Sequence, residues 1–196
     1  MADRRAPADR IAEPRRRPGI DLADRRGYTG RAQAPGEPLP DFSERELRDA
    51  LGRFATGVTV VTTMTPRGPL GITANSFASV SLHPPLILWS PARKSQRFPA
   101  FEAASHFAVH VLSAGQRRLA EAFAGPGDGF RDLAFAHGIG EVPLFEGCAA
   151  RFECRHEAGY DGGDHLIVVG EVLRLTQADL APLIYHRGRY GGLEGG

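Results

Sequence analysis

The chain has 196 residues and carries 24 Lys and Arg against 23 Asp and Glu, a formal net charge of +1. That length suits one domain with a sizeable core plus a tail, and a charge so near zero leaves no electrostatic footprint for nucleic acid. No run approaches the roughly 20 apolar residues of a membrane span and the N-terminus lacks the apolar stretch of a signal peptide, so the expectation is a soluble cytoplasmic protein without membrane contact.

Residues 1–40 mix Arg4, Arg5, Arg15, Arg16, Arg17, Arg25 and Arg26 with Asp, Ala and Pro, without hydrophobic periodicity. They are expected to be a disordered tail, with the folded domain over residues 41–192. Interspersed acidic residues weaken the alternative of a nucleic-acid-binding arm. Ser43 and Glu46 stand at capping-box spacing, with Phe42 and Leu47 placed for a hydrophobic staple. Leu47, Ala50, Leu51 and Phe54 continue at helical spacing, which predicts an amphipathic helix ending at Gly57 with its stripe in the core. Val58 to Thr65 is almost wholly β-branched and reads as a strand buried on much of both faces. The turn Pro66 to Pro69 returns the chain through Leu70 to Thr73 as a hairpin partner.

The stretch Gly71 to Pro85, GITANSFASVSLHPP, is the most unusual part of the chain. Polar Thr73, Asn75, Ser76, Ser79 and Ser81 alternate there with Ile72, Ala74, Phe77, Val80 and Leu82. A buried hydroxyl without a partner costs roughly 1 to 3 kcal/mol, so such a row beside apolar side chains suggests a flat polar ligand. The alternative reading is a strand, a Ser/Thr-rich turn and a second strand.

Leu86 to Trp89 reads as a strand, Pro91 to Ser95 as a basic loop containing the chain's only lysine, Lys94, and Gln96 to Ala104 as a short helix. His106 to Leu112 alternates as a strand. Ser113 and Gln116 repeat the capping-box spacing ahead of a helix through Leu119 and Phe123 that stops at Gly125. Gly125 to Gly129 reads as a flexible loop, and Phe130 to Phe145 has no clear period. Cys148 to Glu157 and His165 to Leu175 read as strands joined by a long, mobile, glycine-rich loop over Ala158 to Asp164. Pro182 to Tyr185 is a last short strand. Cys148 and Cys154, expected on one face of one strand, are too far apart to bridge. At least six strands with two convincing helices, joined mostly by hairpins, argue for a mainly antiparallel β-barrel.

Nothing in the sequence matches a Rossmann or Walker signature, a G-x-S-x-G elbow or metal-ligand spacing. What remains suits a cofactor that brings its own chemistry, with polar groups along a ring edge and apolar contacts on its faces. The abundance of arginine over lysine looks like coding bias, which lowers the functional weight of any one arginine.

The segments GVTVVTT (Gly57 to Thr63), GITANSF (Gly71 to Phe77), SVSLHPPLIL (Ser79 to Leu88), GDH (Gly163 to His165) and YHRGRYG (Tyr185 to Gly191) together resemble the flavin reductase family with the FMN-binding split-barrel fold. The resemblance runs from about Phe42 to Gly191. It implies a mainly β fold with flanking helices, and an NAD(P)H-dependent reductase that transfers a hydride from NADH or NADPH to FMN or FAD without a general base. The reduced flavin would pass to a partner flavin-dependent monooxygenase, and the protein would form a homodimer. Thr73, Ala74, Asn75 and Ser76 would line the isoalloxazine with Phe77 behind them, and Ser79, Ser81, Lys94 and Ser95 would approach the phosphate. His165 would be the catalytic histidine over the flavin, with Tyr185, His186, Arg187, Gly188 and Tyr190 holding the dinucleotide. His83 departs from the family pattern. A flavin-retaining oxidoreductase and a non-catalytic flavin-binding protein are the rival readings. FMN against FAD and NADH against NADPH stay open.

Overall fold

The computed structural model describes residues 41–125 and 129–193. The expected tail over residues 1–40 lies outside them, as do Pro126, Gly127 and Asp128 of the expected glycine loop. In chain order the elements are α1 (Glu44–Leu51), β1 (Thr56–Gly57), β2 (Thr59–Thr65), β3 (Gly68–Ala74), β4 (Ala78–Leu82), β5 (Pro85–Trp89), α2 (Phe98–Ala103) and β6 (His106–Val111). They continue with α3 (Arg117–Ala124), β7 (Ala136–His137), β8 (Pro143–Leu144), β9 (Ala150–Gly162), β10 (His165–Gln177), β11 (Ile184–His186) and β12 (Arg189–Gly191).

The main sheet has seven strands in the order β3-β2-β6-β9-β10-β5-β4, and every neighbouring pair is antiparallel. Its two edge strands, β3 and β4, are consecutive in the chain and joined only by Asn75, Ser76 and Phe77. So short a link spans about 10 Å, so the sheet must curl until its edges meet at that end. The result is the expected antiparallel barrel. A smaller sheet, β1-β11-β12, stands beside it.

Strand β2 behaves as its β-branched sequence predicts, with Thr59 to Thr63 all buried. Val61 points into a core with Trp89, Phe101, Phe107, Val109 and Val168, where Trp89 and Phe101 meet edge to face at 5.0 Å. Val60 joins a second core on the opposite face with Phe123, Phe130 and Phe145. Strands β9 and β10 run 13 residues each, and two breaks in their register let so long a pair bend around the barrel. At one bulge, a Cβ on Gly170 would lie 2.4 Å from the Phe107 ring, so only glycine lets the strand pass.

Several expectations change. The β9–β10 connection is not a long mobile loop: the ladder continues to Gly162 and closes through Gly163 and Asp164 alone. Gly163, at φ 77°, supplies the left-handed conformation that so tight a hairpin needs. Cys148 precedes β9 and is not part of it, and both cysteines are free. Residues 130–145, which lack periodicity, contain the short β7–β8 pair around a 3-10 turn.

Helix α1 has the expected capping box, Ser43 N–H donating to the Glu46 carboxylate at 2.7 Å and Glu46 N–H to Ser43 Oγ at 3.2 Å. It stops at Leu51, however, because Thr56 and Gly57 are drawn into the ladder with Tyr185 and Ile184. Its stripe is not in the core: none of its residues is buried, Leu51 is 65% and Phe54 77% exposed. Ser113 and Gln116 form the second capping box at the entry to α3.

His110 is the one histidine wholly inside the core. Its Nδ1–H donates to Val60 O at 3.0 Å and its Nε2 accepts from Phe145 N–H at 3.1 Å, which defines one neutral tautomer. Burial lowers its pKa from the usual 6.5 to about 4. Below pH 6.5 the unfolded chain therefore takes up a proton that the folded chain refuses, and stability falls as pH falls. Between pH 7 and 5 this single group is expected to remove about 2 kcal/mol, read as a drop in the urea midpoint. In His110→Leu the protein is less stable at pH 7, but its acid dependence is flatter by about the same amount.

Candidate functional site

Strand β3 delivers Thr73 and Ala74 to a narrow cleft of ≈ 200 Å³ lined by Val58, Thr73, Ala74, Asn75, Ala124, Tyr185 and Tyr190. Tyr185 and Tyr190 are directly paired across the β11–β12 hairpin, their rings 5.3 Å apart. The hairpin turns at Arg187 and Gly188, at φ 49° and 77°, the double left-handed conformation of a tight two-residue turn. His186, Arg187, Gly188 and Arg189 are exposed at its tip. Two segments more than a hundred residues apart in sequence thus form one cleft. From α3, Ala120 O accepts the Thr73 hydroxyl at 2.7 Å and the Arg117 guanidinium lies 5.6 Å from the Tyr190 ring centroid. Burial raises the pKa of Tyr190, with smaller contributions from Tyr185 and Glu121.

One residue beyond Asn75, Ser76 turns away from the cleft. Its Oγ accepts Ser90 N–H at 2.9 Å and donates to Ser90 O at 3.3 Å, tying the β3–β4 link to the end of β5. Two residues after Ser90, Ala92 pairs antiparallel with His165, the first residue of β10. His165 Nδ1–H donates to Asp164 Oδ1 at 2.8 Å, which leaves Nε2 as the ring nitrogen without a partner among the described residues. That hydrogen bond, and secondarily the charges of His165 and Lys94, lower the pKa of Asp164. Lys94 is exposed, while Ser95 is spent on the start of α2: its Oγ accepts Arg97 N–H at 3.2 Å and its carbonyl accepts Phe98 N–H at 3.0 Å.

The expected site residues therefore form two groups linked through Asn75 and Ser76. Thr73, Ala74, Asn75, Tyr185 and Tyr190 share the cleft, whereas Lys94 and His165 lie by the β9–β10 turn, Ser95 serves the start of α2, and His165 does not line the cleft. Phe77 stacks on Phe152 at 5.6 Å against the barrel core. Ser79 is exposed on β4, and Ser81 Oγ accepts His83 N–H at 3.2 Å. The row of hydroxyls is thus partly engaged already: Thr73, Ser76 and Ser81 have partners within the chain.

Sequence reasoning did not single out Thr56, the register partner of Tyr185, whose buried Oγ1 lacks a partner among the described residues. It also missed the contribution of α3, whose capping box announced a helix but not what it would touch. Among the described residues no His, Cys, Asp or Glu cluster suits a metal ion, and no helix is long and apolar enough to cross a membrane.

The flavin reductase-like domain family matches residues 51–194. The FMN reductase (NADH) SmoA of Agrobacterium fabrum is 55% identical over 149 residues, covering 76% of this chain and 86% of that protein. The reductase component of the trigonelline monooxygenase of Acinetobacter baylyi is 49% identical over 148 residues, and there the chain spans only 48% of the relative's length. Among solved structures, the Streptomyces globisporus NADH:FAD oxidoreductase SgcE6, in complex with NAD and FAD fragments, superposes with a TM-score of 0.75 at 38% identity. That match covers 81% of this chain and 98% of the other. The barrel, the two linked clusters and these likenesses lead to one conclusion: the chain belongs to the flavin reductase-like family of oxidoreductases with the split-barrel fold.

Proposed function

We propose that the chain reduces FMN or FAD with NADH or NADPH and supplies the reduced flavin to a separate monooxygenase component, working as a cytoplasmic homodimer. The observation that carries this reading is the meeting of Thr73, Ala74 and Asn75 with Tyr185 and Tyr190 in one cleft. The donor set fits a flavin. The Asn75 amide can meet a polar ring edge, the tyrosine rings and Val58 give apolar faces, and exposed Lys94 offers a cation to a phosphate. When bound, flavin supplies the hydride-accepting chemistry.

The chain's own work is positional. Thr73 commits its hydroxyl to Ala120 O of α3 and Ser76 its own to Ser90, which leaves Asn75, the tyrosine hydroxyls and main-chain groups as the polar contacts of the cleft. His165 is held by Asp164 with Nε2 outward, an acceptor for a carboxamide N–H of the nicotinamide. The exposed His186, Arg187 and Gly188 at the hairpin tip fit contacts to the rest of the dinucleotide. No side chain is required to take up or release a proton during hydride transfer. The likeness to SmoA, an FMN reductase that uses NADH, favours that pair of substrates.

Dimerisation is supported by the uncovered α1 stripe, Phe42, Leu47, Leu51 and Phe54, and by exposed Val80 and Leu82 on edge strand β4. Sedimentation velocity is expected to give a dimer for the native chain and a monomer for Leu51→Glu/Phe54→Glu. A native monomer overturns that part of the reading.

The activity is tested with dialysed protein, following NADH and NADPH oxidation with FMN, FAD or no flavin. Turnover is expected only with added flavin and is expected to saturate in it; flavin binding without oxidation of either nucleotide would overturn the reading. Asn75→Ala is expected to raise the flavin KM about 10-fold at unchanged thermal midpoint, the loss of one hydrogen-bonding side chain at the cleft.

A further inference from the structure

We infer that Arg93 is a positioning residue for the nicotinamide half of the reaction, acting by gripping the Asp164–His165 turn. This rests on the reductase reading above. Arg93 follows Ala92, the bridge partner of His165, and its main-chain N–H donates to Asp164 O at 2.9 Å. Its side chain continues along the same turn, Nε–H donating to Gly163 O at 3.2 Å and Nη2–H to Asp161 Oδ1 at 3.0 Å. The guanidinium carbon rests 5.5 Å from the ring centroid of Phe98, a buried residue at the start of α2. One residue thus holds the hairpin turn at three points and seats it on the core. The next two residues, Lys94 and Ser95, are the loop assigned to the flavin phosphate.

The chemistry requires arginine. Two acceptors lie around one planar fork, an arrangement that a lysine ammonium, a single point charge, does not reproduce. The ion pair itself adds little stability, because the Arg93 side chain is 38% exposed and screened. What the grip provides is placement: His165 begins β10 directly after the turn, so its ring moves with Asp164. Displacing the His165 ring weakens its contact with the nicotinamide carboxamide, a loss of binding that is read in the NADH KM.

The experiment measures steady-state NADH oxidation at saturating FMN, FMN dependence at saturating NADH, and thermal midpoints, for native protein, Arg93→Lys, Arg93→Met and Asp161→Asn. Both Arg93 variants and Asp161→Asn are expected to raise the NADH KM about 5- to 10-fold, with the FMN KM within about 2-fold and the midpoint within about 2 °C of native. The double variant Arg93→Lys/Asp161→Asn is expected to be no worse than Arg93→Lys, because both changes break one grip. A general loosening of the loop would instead raise both KM values and lower the midpoint, which overturns the proposal. So does full rescue by lysine, which would make Arg93 a simple cation for the dinucleotide phosphates, or an Asp161→Asn variant that behaves as native. Native protein that oxidises no NADH overturns the reductase reading itself; native turnover with unaffected variants overturns only the role of Arg93.

Discussion

A three-residue link holds the site together. Asn75, Ser76 and Phe77 join the two edges of a seven-stranded sheet, and such a link leaves the sheet no freedom to lie open at that end. Each residue of the link has a different task. Asn75 faces the cleft, Ser76 fastens the link to the end of β5 through two hydrogen bonds, and Phe77 packs against Phe152 and the core. Because Ser90 is only two residues from the bridge to His165, the barrel closure also sets where the β9–β10 turn sits relative to the cleft.

Several polar groups near the site hold the fold by bonds within the chain, with the buried Thr56 hydroxyl as an exception. Thr73 bonds α3, Ser95 serves the first turn of α2, and His110 is locked between Val60 and Phe145. Such bonds rigidify a site at little cost in reactivity, since none of these groups has to change protonation during hydride chemistry. A protein whose reactive ring comes from outside has no need of an activated nucleophile, and the described residues offer none in the cleft.

Much of this could be read from the chain because local rules and burial agreed. The capping boxes at Ser43 and Ser113, the β-branched run of β2 and the alternation of β6 each have a single satisfactory structure. The β9–β10 hairpin is hidden in the sequence because Gly159, Gly162 and Gly163 look like a loop, although only Gly163 uses the conformation that glycine permits. The apolar stripe of α1 is legible as a stripe but not its place outside the core, since periodicity marks an apolar face without showing what lies against it. The hydroxyl row raised a suspicion of ligand binding without revealing which hydroxyls were already spoken for: Thr73 finds its acceptor 47 residues away, a distance no motif encodes. Arg93 was hidden by the general abundance of arginine, and only its three contacts on one turn distinguish it.

The bond from Arg187 N–H to Gly52 O, 3.0 Å long, attaches the tip of the tyrosine hairpin to the end of a helix that has no core of its own. Together with the pairing of Thr56 with Tyr185 and of Gly57 with Ile184, this bond puts the exposed apolar stripe and the two cleft tyrosines on one continuous set of main-chain contacts.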